Sequence, residues 1–97
     1  LVPAPIIPEA TYAYYTTRVA QRDDIHFRER MLEQGIEVGT NFRYVLPQLD
    51  AYQLYAKGTY PQAEQAAKEV VNLPHYPGLR IGEAKRVVAG VRSILQP

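Results

Sequence analysis

The sequence predicts a small α+β domain, a two- or three-stranded sheet covered by helices. Three observations carry that expectation. A Tyr- and Thr-rich run near the start has the composition of a strand. Two later stretches repeat apolar residues at helical spacing. Short extended pieces separate them, in the order β-α-β-loop-α-β-α. With 97 residues, 46% hydrophobic and 22% charged, the chain sits at the globular average and has room for one core. Residues 1–97 therefore form a single domain, with an expected radius of gyration of roughly 13 Å.

The first eight residues, Leu1-Val2-Pro3-Ala4-Pro5-Ile6-Ile7-Pro8, read as a linker-like lead-in. Three prolines favour polyproline II or an extended edge over the helix of a signal peptide. A start at Leu rather than Met is what a piece of a longer chain would show. Tyr12 to Val19 is the first strand, with Thr17 and Val19 on one face and Thr16 and Arg18 on the other. Gln21-Arg22-Asp23-Asp24 is a turn and helix start, where either aspartate suits the positive end of the helix dipole. The helix runs from Asp24 to Gln34, and Ile25/Leu32 and Phe27/Met31 are the pairs expected on its buried face. Gly35 stands where a left-handed cap is expected, and Ile36-Glu37-Val38 alternates as a short strand.

Asn41 to Pro47 reads as an extended loop and Gln48 to Ala56 as a short helix. Thr59-Tyr60-Pro61-Gln62 has the form of a capping box. Beyond it, Ala63, Ala66, Ala67, Val70 and Val71 make one narrow helical stripe. Asn72-Leu73-Pro74 is then an edge strand, since proline cannot donate to a ladder. His75-Tyr76-Pro77-Gly78 is a turn. Ala84, Val87, Val88, Val91 and Leu95 line a final helix, within which Gly90 points to a tight contact with another element.

Little in this sequence carries chemistry. No cysteine is present, which excludes disulfides, thiolate metal sites and a cysteine nucleophile. His26 and His75 are the only histidines and lie in no metal-binding pattern; His26 is expected on the exposed side of its helix, and His75 in a local hydrogen-bonding role. The glycines form no phosphate loop. Glu29, Glu33 and Glu37 read as a solvated face beside Arg28 and Arg30. A net charge of +1 gives no global attraction to nucleic acid, although residues 51–97 hold six basic against three acidic groups. No run is long and apolar enough to span a bilayer, so a cytoplasmic protein is expected. Eight tyrosines without a tryptophan are the unusual feature. They suit either a surface that meets something or the cover of a small core.

Taken in order, six landmarks resemble the C-terminal segment of the DegT/DnrJ/StrS family, the pyridoxal-phosphate-dependent sugar aminotransferases. They are the strand Tyr14-Tyr15-Thr16-Thr17-Arg18-Val19; the turn Arg22-Asp23-Asp24 with the helix end Arg30-Met31-Leu32-Glu33-Gln34-Gly35-Ile36; the loop Gly39-Thr40-Asn41-Phe42-Arg43; the helix start Pro61-Gln62-Ala63-Glu64; the run Leu73-Pro74-His75-Tyr76-Pro77-Gly78-Leu79; and the valine-rich last helix. Nearly the whole chain, from about Pro8 to Leu95, is covered. The resemblance implies that residues 9–97 fold like the small C-terminal domain of fold-type I aminotransferases, which helps to close a substrate cleft.

It also implies that the cofactor lysine lies elsewhere. In the family the Schiff-base lysine, the aspartate on the pyridine nitrogen and most phosphate contacts belong to a large N-terminal domain. Lys57, Lys68 and Lys85 have no such context here. No catalytic, cofactor-binding or metal residue is therefore assigned to this chain, and pyridoxal 5'-phosphate is implied for the parent enzyme alone. The substrate-cleft candidates that the resemblance supplies are Asn41, Phe42, Arg43 and Tyr44. The family's loop often carries one or two histidines; Asn41 and Leu46 stand at those positions, which leaves the nucleotide-sugar or cyclitol substrate open. Arg80 and Gly82 replace the usual Ser, Thr or Asp cap of the last helix, expected to weaken its start by about 0.5–2 kcal/mol if no other cap is present.

Three readings follow. The chain is the cleft-closing domain of an aminotransferase, inactive alone, whose partner is the large domain. Or it is a stand-alone interaction module that self-associates, as a dimer, through the face that domain would cover. Or it is a regulatory or nucleic-acid-binding module that uses the basic last helix, for which no base-reading motif is present.

Overall fold

The Tyr/Thr run builds the middle of a sheet. In the computed structural model, which describes residues 1–20 and 24–96, three strands run antiparallel in the order β1 (Val2–Pro3), β2 (Tyr15–Arg18), β3 (Val70–Leu73). Pairing is Val2 with Arg18 and Pro3 with Thr17 on one side of β2. On the other, Tyr15 pairs with Leu73, Thr16 with Asn72, Thr17 with Val71 and Arg18 with Val70. The predicted strand from Tyr12 is thus shorter at its start, and part of the lead-in supplies the outer strand. The period-two alternation of β2 places Thr17 and Val19 inside.

Helix α1 (Asp24–Glu33) buries its Asp24, Phe27 and Met31 face, with Phe27 and Met31 in one core cluster with Val19 and Val71. Phe27 and Met31 are fully buried, a contribution of about 1.5–3 kcal/mol each. The pair Ile25/Leu32, expected beside them, is exposed instead. A seven-residue spacing puts two residues on one stripe without saying which stripe faces inward, and the bulkier Phe27/Met31 pair takes the core. The predicted turn at Gln21-Arg22-Asp23 lies outside the described residues.

The end of α1 follows the sequence closely. Gly35 takes φ +76°, the left-handed conformation that glycine tolerates without a steric penalty. Ile36 N donates to Met31 O at 3.0 Å and Gly35 N to Leu32 O at 2.8 Å, the two bonds of a Schellman cap. Arg86 Nη2 adds a third donor, 2.9 Å from Gln34 O. Ile36 and Val38 then enter the core with Glu37 exposed, as their alternation requires. No strand forms there, however. Only Gly39 pairs, with Asn72, through bonds of 3.0 and 2.8 Å.

The stretch expected as one helix at 48–56 is two 3-10 turns, Leu46–Gln48 and Asp50–Tyr55, with no buried residue between them. Helix α2 (Pro61–Glu69) starts at Tyr60 without a side-chain cap, so the capping box read at Thr59–Gln62 is absent. It also ends sooner than its apolar stripe. Val70 and Val71 belong to β3, where Val71 is fully buried against β2. β3 is an edge strand of the sheet, as expected, although it begins at Val70 and its outer side is bridged at one point. It pairs with β2 on one side and with Gly39 on the other.

Helix α3 (Ile81–Leu95) packs Val87, Val91, Ile94 and Leu95 against the core. Gly90 is buried where a Cβ would stand 2.8 Å from Ile36 Cδ1, the close approach its position in the sequence predicts. The substitute cap for the Arg80/Gly82 start is Glu83, whose Oε2 accepts from Arg80 N at 3.0 Å.

The radius of gyration is 15.3 Å, above the roughly 13 Å expected, and the extents are 48 × 35 × 20 Å. Residues 5–14 and 41–60, which contribute no buried side chain, account for the spread. All eight tyrosines are exposed, so they do not cover the core.

Candidate functional site

The loop that carries Asn41, Phe42, Arg43 and Tyr44 leaves the sheet at Gly39 and is fastened at both ends. At its start, Gly39 pairs with Asn72, and Thr40 Oγ1 donates to Val70 O at 3.1 Å. At its far end, Gln48 N donates to Val45 O at 3.0 Å as the first 3-10 turn begins. The peptide between Asn41 and Phe42 is cis.

The four residues do not converge on one pocket. Asn41 lines a groove of about 570 Å³ beside Glu37, Asn72, Tyr76 and Arg86. Arg43 lines a second groove, about 340 Å³, on the other side of Glu37, with Ile25, Arg28 and Leu32 of α1. Phe42 and Tyr44 face solvent, 70% and 56% exposed. Taken alone, the loop encloses no site.

Arg43 has a partner that no reading of the sequence supplied. Its Nε lies 3.2 Å from Asp24 Oδ2 and its Nη2 3.5 Å from Asp24 Oδ1. Asp24 is wholly buried, and Arg28 Nη1 approaches the same Oδ2 at 3.9 Å. The Arg28 guanidinium also donates from Nε to Val38 O at 3.0 Å, one residue before the loop begins. The Asp24–Arg28 spacing of four was legible as a helical ion pair. The Asp24–Arg43 contact spans nineteen residues and had no signal.

Two further charged clusters are structural. Glu69, buried at the end of α2, accepts from Arg18 Nε and Nη2 at 3.0 and 2.7 Å and from Gln65 Nε2. Beside it, Thr16 Oγ1 donates to Asn72 Oδ1 at 2.8 Å. In the turn before α3, partial desolvation pushes the Tyr76 phenol above the ordinary tyrosine range. Its hydrogen bond to Glu83 Oε2 at 3.2 Å and that carboxylate's charge act in the same direction, against Arg80. His75 Nε2 lies 3.1 Å from Tyr12 O and His26 is exposed on α1.

Chemically, the loop offers an amide, two aromatic rings and a guanidinium already paired. That set can hydrogen-bond and stack, but holds no nucleophile beside a base. Among the described residues no three His, Asp or Glu side chains gather as a metal site. No helix among them is long and apolar enough to cross a membrane. Lys57, Lys68 and Lys85 are exposed, and none lines either groove beside the loop. This donor set does not fit pyridoxal phosphate, which needs a lysine held against its ring with a carboxylate at the far nitrogen. A separate apolar groove of about 410 Å³ runs between Pro3, Tyr15 and Leu73 of the sheet and Val87, Val88 and Val91 of α3.

A family model, the DegT/DnrJ/EryC1/StrS aminotransferase family, matches residues 3–92 of the chain. The match spans β2, β3, α1 and α2 whole, the second residue of β1 and most of α3. The chain belongs to that family.

Proposed function

We propose that this chain is the C-terminal, cleft-closing part of a pyridoxal-phosphate-dependent aminotransferase acting on a nucleotide sugar or a cyclitol, and that it is inactive alone. The Schiff-base lysine and the cradle for the cofactor phosphate come from the large domain, the partner of the exposed faces described above. The loop of Asn41, Phe42, Arg43 and Tyr44 supplies the substrate side of the closed cleft.

One observation carries the reading: within a chain of this family, the loop and the turns after it have no buried residue. Phe42, Leu46, Leu54 and Tyr55 are all exposed. Large apolar side chains in such numbers are the composition of a surface that meets another body. The cytoplasm, where sugar nucleotides are made and cysteine-free chains are unexceptional, is the compartment this reading implies.

The test is an assay of the intact polypeptide that carries these residues. With pyridoxal phosphate and glutamate it is expected to aminate a member of a panel of nucleotide-activated keto sugars and keto cyclitols. The 97-residue chain is expected neither to do so nor to form an aldimine. A stable aldimine on this chain, lost on Lys57→Ala, would overturn the assignment of the cofactor to another domain.

A self-associating module without catalysis is the second reading, favoured by the 410 Å³ apolar groove on α3. It requires a dimer or larger species in sedimentation at several concentrations. A monomer at the highest concentration removes it.

A further inference from the structure

Along the loop the side chains alternate. Phe42 faces solvent, Arg43 turns back onto α1, and Tyr44 faces solvent again. The inward residue meets the most deeply buried carboxylate among the described residues, with Asp24 at 0% exposure. A buried carboxylate requires a cation, and water cannot stand in for one there. Arg28 alone meets that need poorly. It stands 3.9 Å away and its Nε is committed to Val38 O. Arg43 approaches both carboxylate oxygens, at 3.2 and 3.5 Å, and hydrogen-bonds Oδ1, so holding Arg43 inward gives the aspartate its nearest cation while Oδ2 accepts no hydrogen bond among the described residues. The same contact fixes which way its two neighbours point.

We propose that Asp24 and Arg43 form a latch that turns Arg43 away from the substrate and presents Phe42 and Tyr44 as the contact surface of the loop. Arg43 is then a positioning residue, its charge paired with the buried Asp24 rather than offered to a phosphate. The ligand face that suits the two rings is uncharged: the C–H face of a pyranose or cyclitol ring, against which aromatic side chains lie flat. This assignment rests on the reading of the loop as a wall of the substrate cleft. The latch itself does not.

Trypsin separates the two, because the Arg43–Tyr44 bond is its substrate only when the guanidinium is released. Cleavage at that bond follows the population of the open loop, and Asp24→Asn is expected to accelerate it about tenfold. Arg43→Lys keeps the cleavage site and a cation for Asp24 but loses the planar fork, and is expected to act in the same direction. Cleavage after Arg86, within α3, reports whether the fold is intact and should not change. If neither variant is nicked faster after residue 43 while α3 stays protected, the latch is wrong.

In the intact aminotransferase, Phe42→Ala and Asp24→Asn are expected to raise KM for the sugar or cyclitol acceptor about tenfold, with kcat within about twofold. A purely structural role would not produce that split. Faster nicking with an unchanged KM leaves the latch standing and removes the loop from the cleft.

Discussion

Two regions of this chain contain aromatic and branched apolar residues in similar supply and use them in opposite ways. In the first, β2, β3, α1 and α3 enclose Val19, Phe27, Met31, Ile36, Val38 and Val71, each at most a few per cent exposed. In the second, residues 41–60, Leu54 is 94% exposed and Tyr55 77%, and no side chain is buried. The difference lies in topology rather than composition. The sheet and two helices form closed layers, whereas the 41–60 segment leaves the sheet at Gly39, makes two short 3-10 turns and has no layer to lie against. Apolar residues without a layer of their own stay in contact with water in this chain.

Paired truncations give the largest expected effect and would break this contrast most directly. Phe27→Ala empties a fully buried site and is expected to cost about 3–5 kcal/mol in a urea melt. A domain of this kind has a total stability of about 5–15 kcal/mol. Phe42→Ala removes a ring that faces water and should stay within about 0.5 kcal/mol. If Phe42→Ala destabilises the isolated chain as much as Phe27→Ala, the second region has a core of its own and the contrast fails.

The same division marks what the sequence could reveal. Local signals held where the structure is local: Gly35 caps α1, Ile36 and Val38 alternate into the core, and Gly90 lies under Ile36. Signals failed where a distant partner decides. Val70 and Val71 continue the apolar stripe of α2, yet the ladder with Arg18 and Thr17 takes them as strand. Ile25/Leu32 and Phe27/Met31 are equally good stripes until the sheet selects one. For the candidate site, residue types and order indicated the loop, but the separation of its side chains onto two sides depends on Asp24, nineteen residues from Arg43.

That ion pair gives the next effect in size, and its asymmetry sharpens the comparison because it joins the two regions. Arg43→Ala leaves the buried Asp24 carboxylate, among the described cations, with the 3.9 Å contact to Arg28 and is expected to cost about 2–3 kcal/mol. Asp24→Asn leaves two arginines whose side chains are 36% and 40% exposed, so water rehydrates them and the loss should be about 1 kcal/mol or less. Losses that add in the double mutant would mean that Arg43 does not depend on the buried carboxylate.

Gly90→Ala tests how tightly the first region is closed. In an exposed helix interior the change would stabilise by about 1 kcal/mol. Here the new methyl meets Ile36 Cδ1 at 2.8 Å, Gln34 Oε1 at 3.2 Å and Met31 Sδ at 3.4 Å. Displacing the buried Ile36 rotamer costs about 1–3 kcal/mol, so a net loss of about 1 kcal/mol is expected. A gain in melting temperature would show that α1 and α3 have slack between them.

The smallest effect concerns Tyr76, which belongs to the ordered side of the contrast although its ring is exposed. Its hydroxyl donates to Glu83 Oε2, and the same oxygen accepts from Arg80 N at the start of α3. Partial desolvation, that hydrogen bond and the Glu83 charge all favour the neutral phenol, so its folded pKa lies above the ordinary value of 10.0. A raised pKa means that the folded chain holds this proton more tightly than the unfolded one. The resulting stability is complete below the unfolded pKa and is lost as pH rises through the folded value. Neutral solution is therefore insensitive to it, and the effect appears only in alkali. Following phenolate absorbance, Tyr76→Phe should delete an ionisation step above the ordinary tyrosine range. Glu83→Gln, which removes the charge and keeps an acceptor, should move that step downward without deleting it. If Glu83→Gln leaves the step in place, desolvation alone raises the phenol, and the contact between Tyr76 and Glu83 has no part in ordering the start of α3.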